Sequence, residues 1–175
     1  MKQYSKRMVI IHWLTLALIF VAWYLGDSLD DARGEKNATL IGYFAHSLVG
    51  GAILLLTILR WTFRGVDGTP PPVGDSLMDM VAKGIHYGLY VLLLLLPATG
   101  FMTMVTSGVG MALLTGNASL LPSKYTGASI VPHAVHEILV TVLIVVVVVH
   151  IIGAIKHQFI MKDGLMERMS LRRKS

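Results

Sequence analysis

The sequence predicts an all-α membrane protein: one four-transmembrane-helix bundle spanning residues 1–175, with N- and C-termini cytoplasmic. Three observations carry this. The chain is 54% hydrophobic and 14% charged, with a mean hydropathy of +0.67, outside the range of soluble domains. Charge is missing from long stretches: none in 8–26, none in 37–59, none between Lys83 and Lys124, and only Glu137 in 125–155. Each stretch can supply the roughly 20 apolar residues that a spanning helix needs. The basic residues, finally, divide unevenly between the two ends of those spans.

The first helix is expected at about 8–26. Lys2, Lys6 and Arg7 ahead of an apolar run resemble a signal peptide, but the run is long and no small-x-small site precedes Asp27, so it reads as an uncleaved helix. The second is expected at about 39–62, followed by an inner loop stiffened by Pro70, Pro71 and Pro72. The third covers about 84–106. Beyond it Gly108, Gly110, Gly116 and Pro122 break the apolar stretch, which reads as a loop over the outer surface. The fourth covers about 132–156. Its Val145–Val149 run would suit a buried strand, but its length and lack of turn residues favour helix. A lone strand in lipid would also leave its backbone unpaired.

With the N-terminus inside, the inner side receives Lys2, Lys6, Arg7, Arg60, Arg64, Lys83, Lys156, Lys162, Arg168, Arg172, Arg173 and Lys174. The outer side receives only Arg33, Lys36 and Lys124. That asymmetry orients the bundle and accounts for the basic pI, so nucleic acid is not an expected partner. The first outer loop sets Asp27, Asp30, Asp31 and Glu35 against Arg33 and Lys36, net −2.

The chain has no cysteine, which excludes covalent C-x-x-C-H haem, thiolate ligands and iron–sulfur clusters. A redox centre would be non-covalent and held by His or Met. Met102 and Met104 read as apolar packing residues.

Histidine is costly inside hydrocarbon unless it binds something. His136 and His150 share one helix, 14 residues apart. That spacing is about 40° short of four turns and about 21 Å along the axis, so both leave the same face at two depths. His12 sits near the inner end of helix one, level with His150; His46 sits near the outer start of helix two, level with His136. An inner pair, His12 with His150, and an outer pair, His46 with His136, suit bis-histidine ligation of two haems in a bundle interior. Gly50 and Gly51, one turn beyond His46, either open space for a macrocycle or allow close helix contact. A single histidine near a membrane interface is more often an interfacial polar residue than a ligand; two matched levels sharing one helix favour the ligand reading.

His86 and His157 lie at the inner level without an evident opposite partner. They read either as proton donors to a reduced quinone or as solvated interfacial residues. His133 reads as interfacial or as half of a surface metal pair with His136. His136-Glu137 does not form an H-E-x-x-H zinc motif. Lys6, Arg7, Arg60, Lys83 and Lys156 could meet haem propionates or simply snorkel to the surface.

Specific motifs run nearly end to end: Tyr4-Ser5 leading into Ile11-His12-Trp13-Leu14, His46 followed by Gly50 and Arg60, His136-Glu137-Ile138-Leu139, and His150. The closing pattern is Lys156-His157-Gln158-Phe159, then Lys162 through Met169. In combination the chain resembles the bacterial cytochrome b561 proteins, relatives of the nickel-hydrogenase cytochrome b subunits. The resemblance implies a multi-pass protein of the bacterial inner membrane with two non-covalent haem b groups, exchanging electrons with the quinone pool. It puts the axial ligands at His12, His46, His136 and His150, and sets His86 and His157 near an inner ubiquinone site. In one branch superoxide is the outer donor, and the acidic first loop here departs from the positive entrance that anion favours. The expected activity is an oxidoreductase of superoxide:ubiquinone type. Two rivals are a haem-bearing membrane anchor of a dehydrogenase or hydrogenase, and a metal-ion transporter using buried histidines.

Overall fold

A computed structural model describes residues 2–71 and 77–172. Among them, α1 (Lys6–Gly34), α2 (Leu40–Asp67) and α3 (Leu77–Thr106) are followed by a short α4 (Val109–Thr115) and then by α5 (Ile130–Ile155). Four helices, all but α4, are long and apolar enough to cross a membrane. Polar caps start two of them. The Ser5 hydroxyl accepts from Met8 N at 3.4 Å, and the Thr39 hydroxyl accepts from Gly42 N at 3.2 Å, satisfying N–H groups that a helix start leaves open.

α1, α2 and α3 overrun the expected spans. Hydropathy marks only the part of a helix that suits hydrocarbon, whereas a formed helix extends cheaply through polar turns. α1 continues through Asp27, Asp30, Asp31 and Arg33, where Arg33 pairs with Asp30 one turn away. Most of the expected first outer loop is therefore helix. α3 starts seven residues early, at Leu77.

The expected outer loop after α3 also needs correction, since it contains α4. Gly108 (φ 86°) and Gly116 (φ 67°) bound this helix in the left-handed region that glycine adopts freely. Val109 and Ala112 are buried, and Val109 joins Leu29 and Tyr43 in an apolar cap over the outer end. Seven residues are too few to reveal a helical period in an almost uniformly apolar stretch.

α1 packs along α2, α3 along α5, and α2 against α3. α5 does not pack closely along α1 or α2 among the described residues, so those helices face one another across the interior. Leu92 and Leu96 of α3 meet Leu143 and Val147 of α5 in the main apolar core, which Leu16 and Ile19 of α1 join. Leu143 and Val147 lie between His136 and His150, so this layer separates the two histidine depths.

The ends expected inside share one end of the bundle. Arg7 donates to Asp67 at 2.8 Å and stacks on Phe63 at 4.0 Å, tying the start of α1 to the end of α2. After α5, a π-helical turn (Lys156–Met161) and a 3-10 turn (Leu165–Met169) fold back. There Tyr4 N donates to Arg168 O at 3.1 Å, Trp13 Nε1 to Met169 O at 3.1 Å, and Arg168 to Pro71 O at 2.7 Å. The closing sequence motif thus straps the inner end. Pro72, Arg173 and Lys174 lie outside the described residues.

Candidate functional site

The sequence-paired histidines come together on different helices. His12 of α1 faces His150 of α5 with ring centres 6.2 Å apart and planes at 75°. His46 of α2 faces His136 of α5 with ring centres 6.2 Å apart and planes at 79°. All four are half-buried.

The outer rings are held by backbone. His46 Nδ1 lies 3.1 Å from Ala22 O of α1, and His136 Nδ1 lies 3.0 Å from Leu96 O of α3. A carbonyl can only accept, so each Nδ1 carries the proton and each Nε2 keeps its lone pair for a metal. Thr99 adds a second acceptor 3.1 Å from His136 Nδ1 while its own proton goes to the Leu95 and Leu96 carbonyls. Glycines stand against both rings. A Cβ on Gly26 would meet His46 Cε1 at 3.1 Å, and one on Gly100 would meet His136 Cε1 at 3.2 Å.

The inner level is more crowded and carries charge. Arg60 Nη1 of α2 lies 2.5 Å from His12 Nδ1, and the Trp13 ring stands 5.3 Å from that of His12. His86, expected to lack an opposite partner, instead stands 5.3 Å from the His150 ring. The close packing of α3 on α5 brings it there, which hydropathy alone does not reveal. His157 meets Asp163 of the tail at 2.5 Å. That hydrogen bond holds the Asp163 carboxyl below its usual range, while its other oxygen accepts from Leu165 N at 2.9 Å.

At the outer rim, His133 pairs with Glu137 at 3.1 Å and packs its ring 3.9 Å from that of Tyr125. Asp30, His133 and Glu137 converge within 4.8 Å, beside an Asp30–Arg33 ion pair whose guanidinium covers Tyr125. Burial pushes the Tyr125 phenol upward.

The donors fit haem b. Two imidazoles facing each other across one metal at about 2 Å per nitrogen stand about 6 Å apart at their centres, as they do at both levels. The His86 and His150 rings, 5.3 Å apart, are closer than two rings that face each other across a metal. A Cβ on Gly50 or Gly51 would meet nothing within 4 Å, so these glycines leave open space beside His46 rather than a tight helix contact. Arg60 Nε is buried with no hydrogen-bond partner among the described residues, a donor suited to a carboxylate such as a propionate.

A membrane four-helix bundle that opposes imidazoles at two depths is the architecture of membrane cytochromes b. Residues 3–170 match the family model described as prokaryotic cytochrome b561, and the chain belongs to that family. It is a multi-pass bacterial membrane protein of haem b electron transfer. Among its relatives, cytochrome b562 of Cereibacter sphaeroides is 29% identical over 95% of this chain and 94% of its own. A protein of Yersinia pestis named probable superoxide oxidase CybB is 27% identical over 96% of each chain. Cytochrome b561 homolog 1 of Escherichia coli is 24% identical over 99% of this chain and all of its own.

Gly26, Gly100, Thr99 and the Ala22 and Leu96 carbonyls went unassigned from sequence. Pro97 did too, although a proline inside a span carries a signal. It removes the N–H that would bond Leu93 O, next to the carbonyl on which His136 docks.

Proposed function

We propose that this protein is a di-haem electron carrier of the bacterial inner membrane, taking single electrons from superoxide on the outer side and delivering them to ubiquinone on the cytoplasmic side. The observation that carries the reading is the repetition of one imidazole separation, 6.2 Å, at two depths. Haem b, when bound, supplies reversible one-electron chemistry at each level. His46 and His136 would hold the outer group, and His12 and His150 the inner one. Arg60 would offer its buried Nε to an inner propionate. The layer of Leu92, Leu96, Leu143 and Val147 keeps water from the space between the levels.

Each superoxide gives up one electron and leaves as O2. Two such electrons and two protons from the cytoplasmic side convert ubiquinone to ubiquinol. His86, against His150, and His157, with Asp163 behind its Nδ1, are the groups that would move those protons. The Yersinia pestis relative's name supports superoxide as donor.

The test is a haem count with a kinetic assay on purified protein. A pyridine haemochrome ratio of about two haem b per chain, with superoxide-driven reduction of ubiquinone, is expected. A ratio near one removes a level. No haem reduction by superoxide removes the donor and leaves a protein or quinol in its place.

A further inference from the structure

The outer histidines dock on their neighbouring helices in the same way twice. His46 Nδ1 reaches the carbonyl of Ala22, and the residue four positions later is Gly26. His136 Nδ1 reaches the carbonyl of Leu96, and the residue four positions later is Gly100. In an α-helix the carbonyl of residue i already accepts from the N–H of residue i+4. Side chains lean toward the helix N-terminus, so the side chain of residue i+4 shields the remaining face of that carbonyl. Glycine there leaves the carbonyl edge open to a second donor from outside the helix.

We propose that Gly26 and Gly100 are positioning residues of the outer haem level: their missing side chains let the Nδ1–H groups of His46 and His136 share helix carbonyls, which fixes Nε2 as the ligating nitrogen. The proposal rests on the two-haem reading. A methyl group at either position would stand 3.1–3.2 Å from Cε1 and 3.5 Å from Nδ1 of the facing ring. The first distance is tighter than ordinary van der Waals contact, and the ring has little freedom to yield. It is held on one edge by the carbonyl and, with haem bound, would be held on the other by the iron. The methyl would push the ring off its acceptor, weakening the hydrogen bond that makes the imidazole a stronger electron donor.

Gly26→Ala and Gly100→Ala, with the larger Gly26→Val and Gly100→Val, test this in the full-length protein. Exposed Gly65 of α2, where a Cβ would meet nothing within 4 Å, provides a control as Gly65→Ala. The readouts are haem-to-protein ratio, the low-spin EPR signals and the midpoint potential of each haem. The alanine variants should raise the outer potential and shift the outer EPR signal while the inner ones stay fixed. The valine variants should lower the haem ratio from two toward one, the retained inner spectrum showing that the chain has folded. The control should match wild type. Outer signals unchanged in both alanine variants, with two haems retained in both valine variants, would overturn the positioning role and leave the two-haem reading standing. A wild-type ratio of one that His46→Ala does not alter would overturn both.

Discussion

The outer and inner levels use the same side chain at the same separation, yet their surroundings differ in charge. Outside, both face neutral carbonyl acceptors, Ala22 O and Leu96 O. Inside, His12 Nδ1 faces the Arg60 guanidinium, and His150 has a second imidazole, that of His86, against it. Carbonyl acceptors make an imidazole a stronger donor and favour oxidised iron, whereas a nearby cation favours the reduced state. With haem bound at both levels, as proposed, this difference would run downhill from the outer level to the inner one, the direction that the proposed reaction needs. In the contact seen here Arg60 donates to Nδ1, which leaves the ring proton on Nε2. Ligation through Nε2 would turn the guanidinium elsewhere, toward a carboxylate for which its Nε, unpartnered among the described residues, is suited.

The largest expected effect is loss of one level without the other. His46→Ala or His136→Ala should remove the outer haem and leave an inner spectrum; His12→Ala or His150→Ala should do the reverse. Pyridine haemochrome would show about one haem in place of about two. If His136→Ala and His150→Ala disturbed the same spectral component, the two levels would not be separate sites.

Much of this pairing was legible in the sequence. A 14-residue spacing is a geometric statement about a helix, and hydropathy puts His12 and His46 near opposite membrane surfaces, where each finds its partner on α5. Depth alone cannot give the rotation of one helix about another. That is why His86 looked partnerless until α3 was seen packed on α5. The outer docking sites were hidden for a different reason: Ala22 and Leu96 contribute backbone oxygen, which every residue has. Gly26 and Gly100 become informative only once the ring facing each is known. The outer end of α1 runs past its expected span because Asp27–Arg33 is polar, and polarity marks the membrane boundary rather than the helix end.

The second effect concerns protons and separates the inner level's histidines by role. His86→Ala or His157→Ala should keep both haem spectra and slow quinone reduction by about 100-fold or more, the scale of a lost general acid. The His157–Asp163 contact adds a pH signature. Asp163 is held below its ordinary carboxylate range, so its contribution to the tail strap is present above the unfolded carboxyl pKa. It is lost as pH falls through the lower folded value. Proteolysis of the tail should therefore rise only under acid conditions, below about pH 4, and Asp163→Asn should remove that dependence. Wild-type quinone rates in both histidine variants would return these residues to an interfacial role.

A third test sharpens the contrast in charge. Arg60→Leu should lower the inner midpoint potential by about 50–100 mV, the size of one charge within about 7–10 Å at an effective dielectric constant of about 20, and leave the outer potential alone. Arg60→Lys should restore most of it. A potentiometric titration in which Arg60→Leu moved both haems equally, or neither, would remove Arg60 as the source of the difference.

The smallest expected effect lies where the outer level meets its donor. α1 carries Asp27, Asp30, Asp31 and, just past its end, Glu35, against Arg33 and Lys36. The structure further reduces the attraction available to an anion, because Arg33 is paired with Asp30 and packed over Tyr125. Lys124 stands exposed in the following outer segment. Its reach is about 8 Å at physiological salt, and it opposes a field that the neighbouring carboxylates make negative. Superoxide should therefore reduce the outer haem at a rate that varies little with ionic strength. Lys124→Glu should slow that rate by only about two- to threefold at low salt, and the difference should vanish as salt rises. Pulse radiolysis across a salt series on both proteins would measure it. A wild-type rate that falls steeply with salt would show that Arg33 gives up Asp30 to the approaching anion, making the outer rim a charged entrance after all.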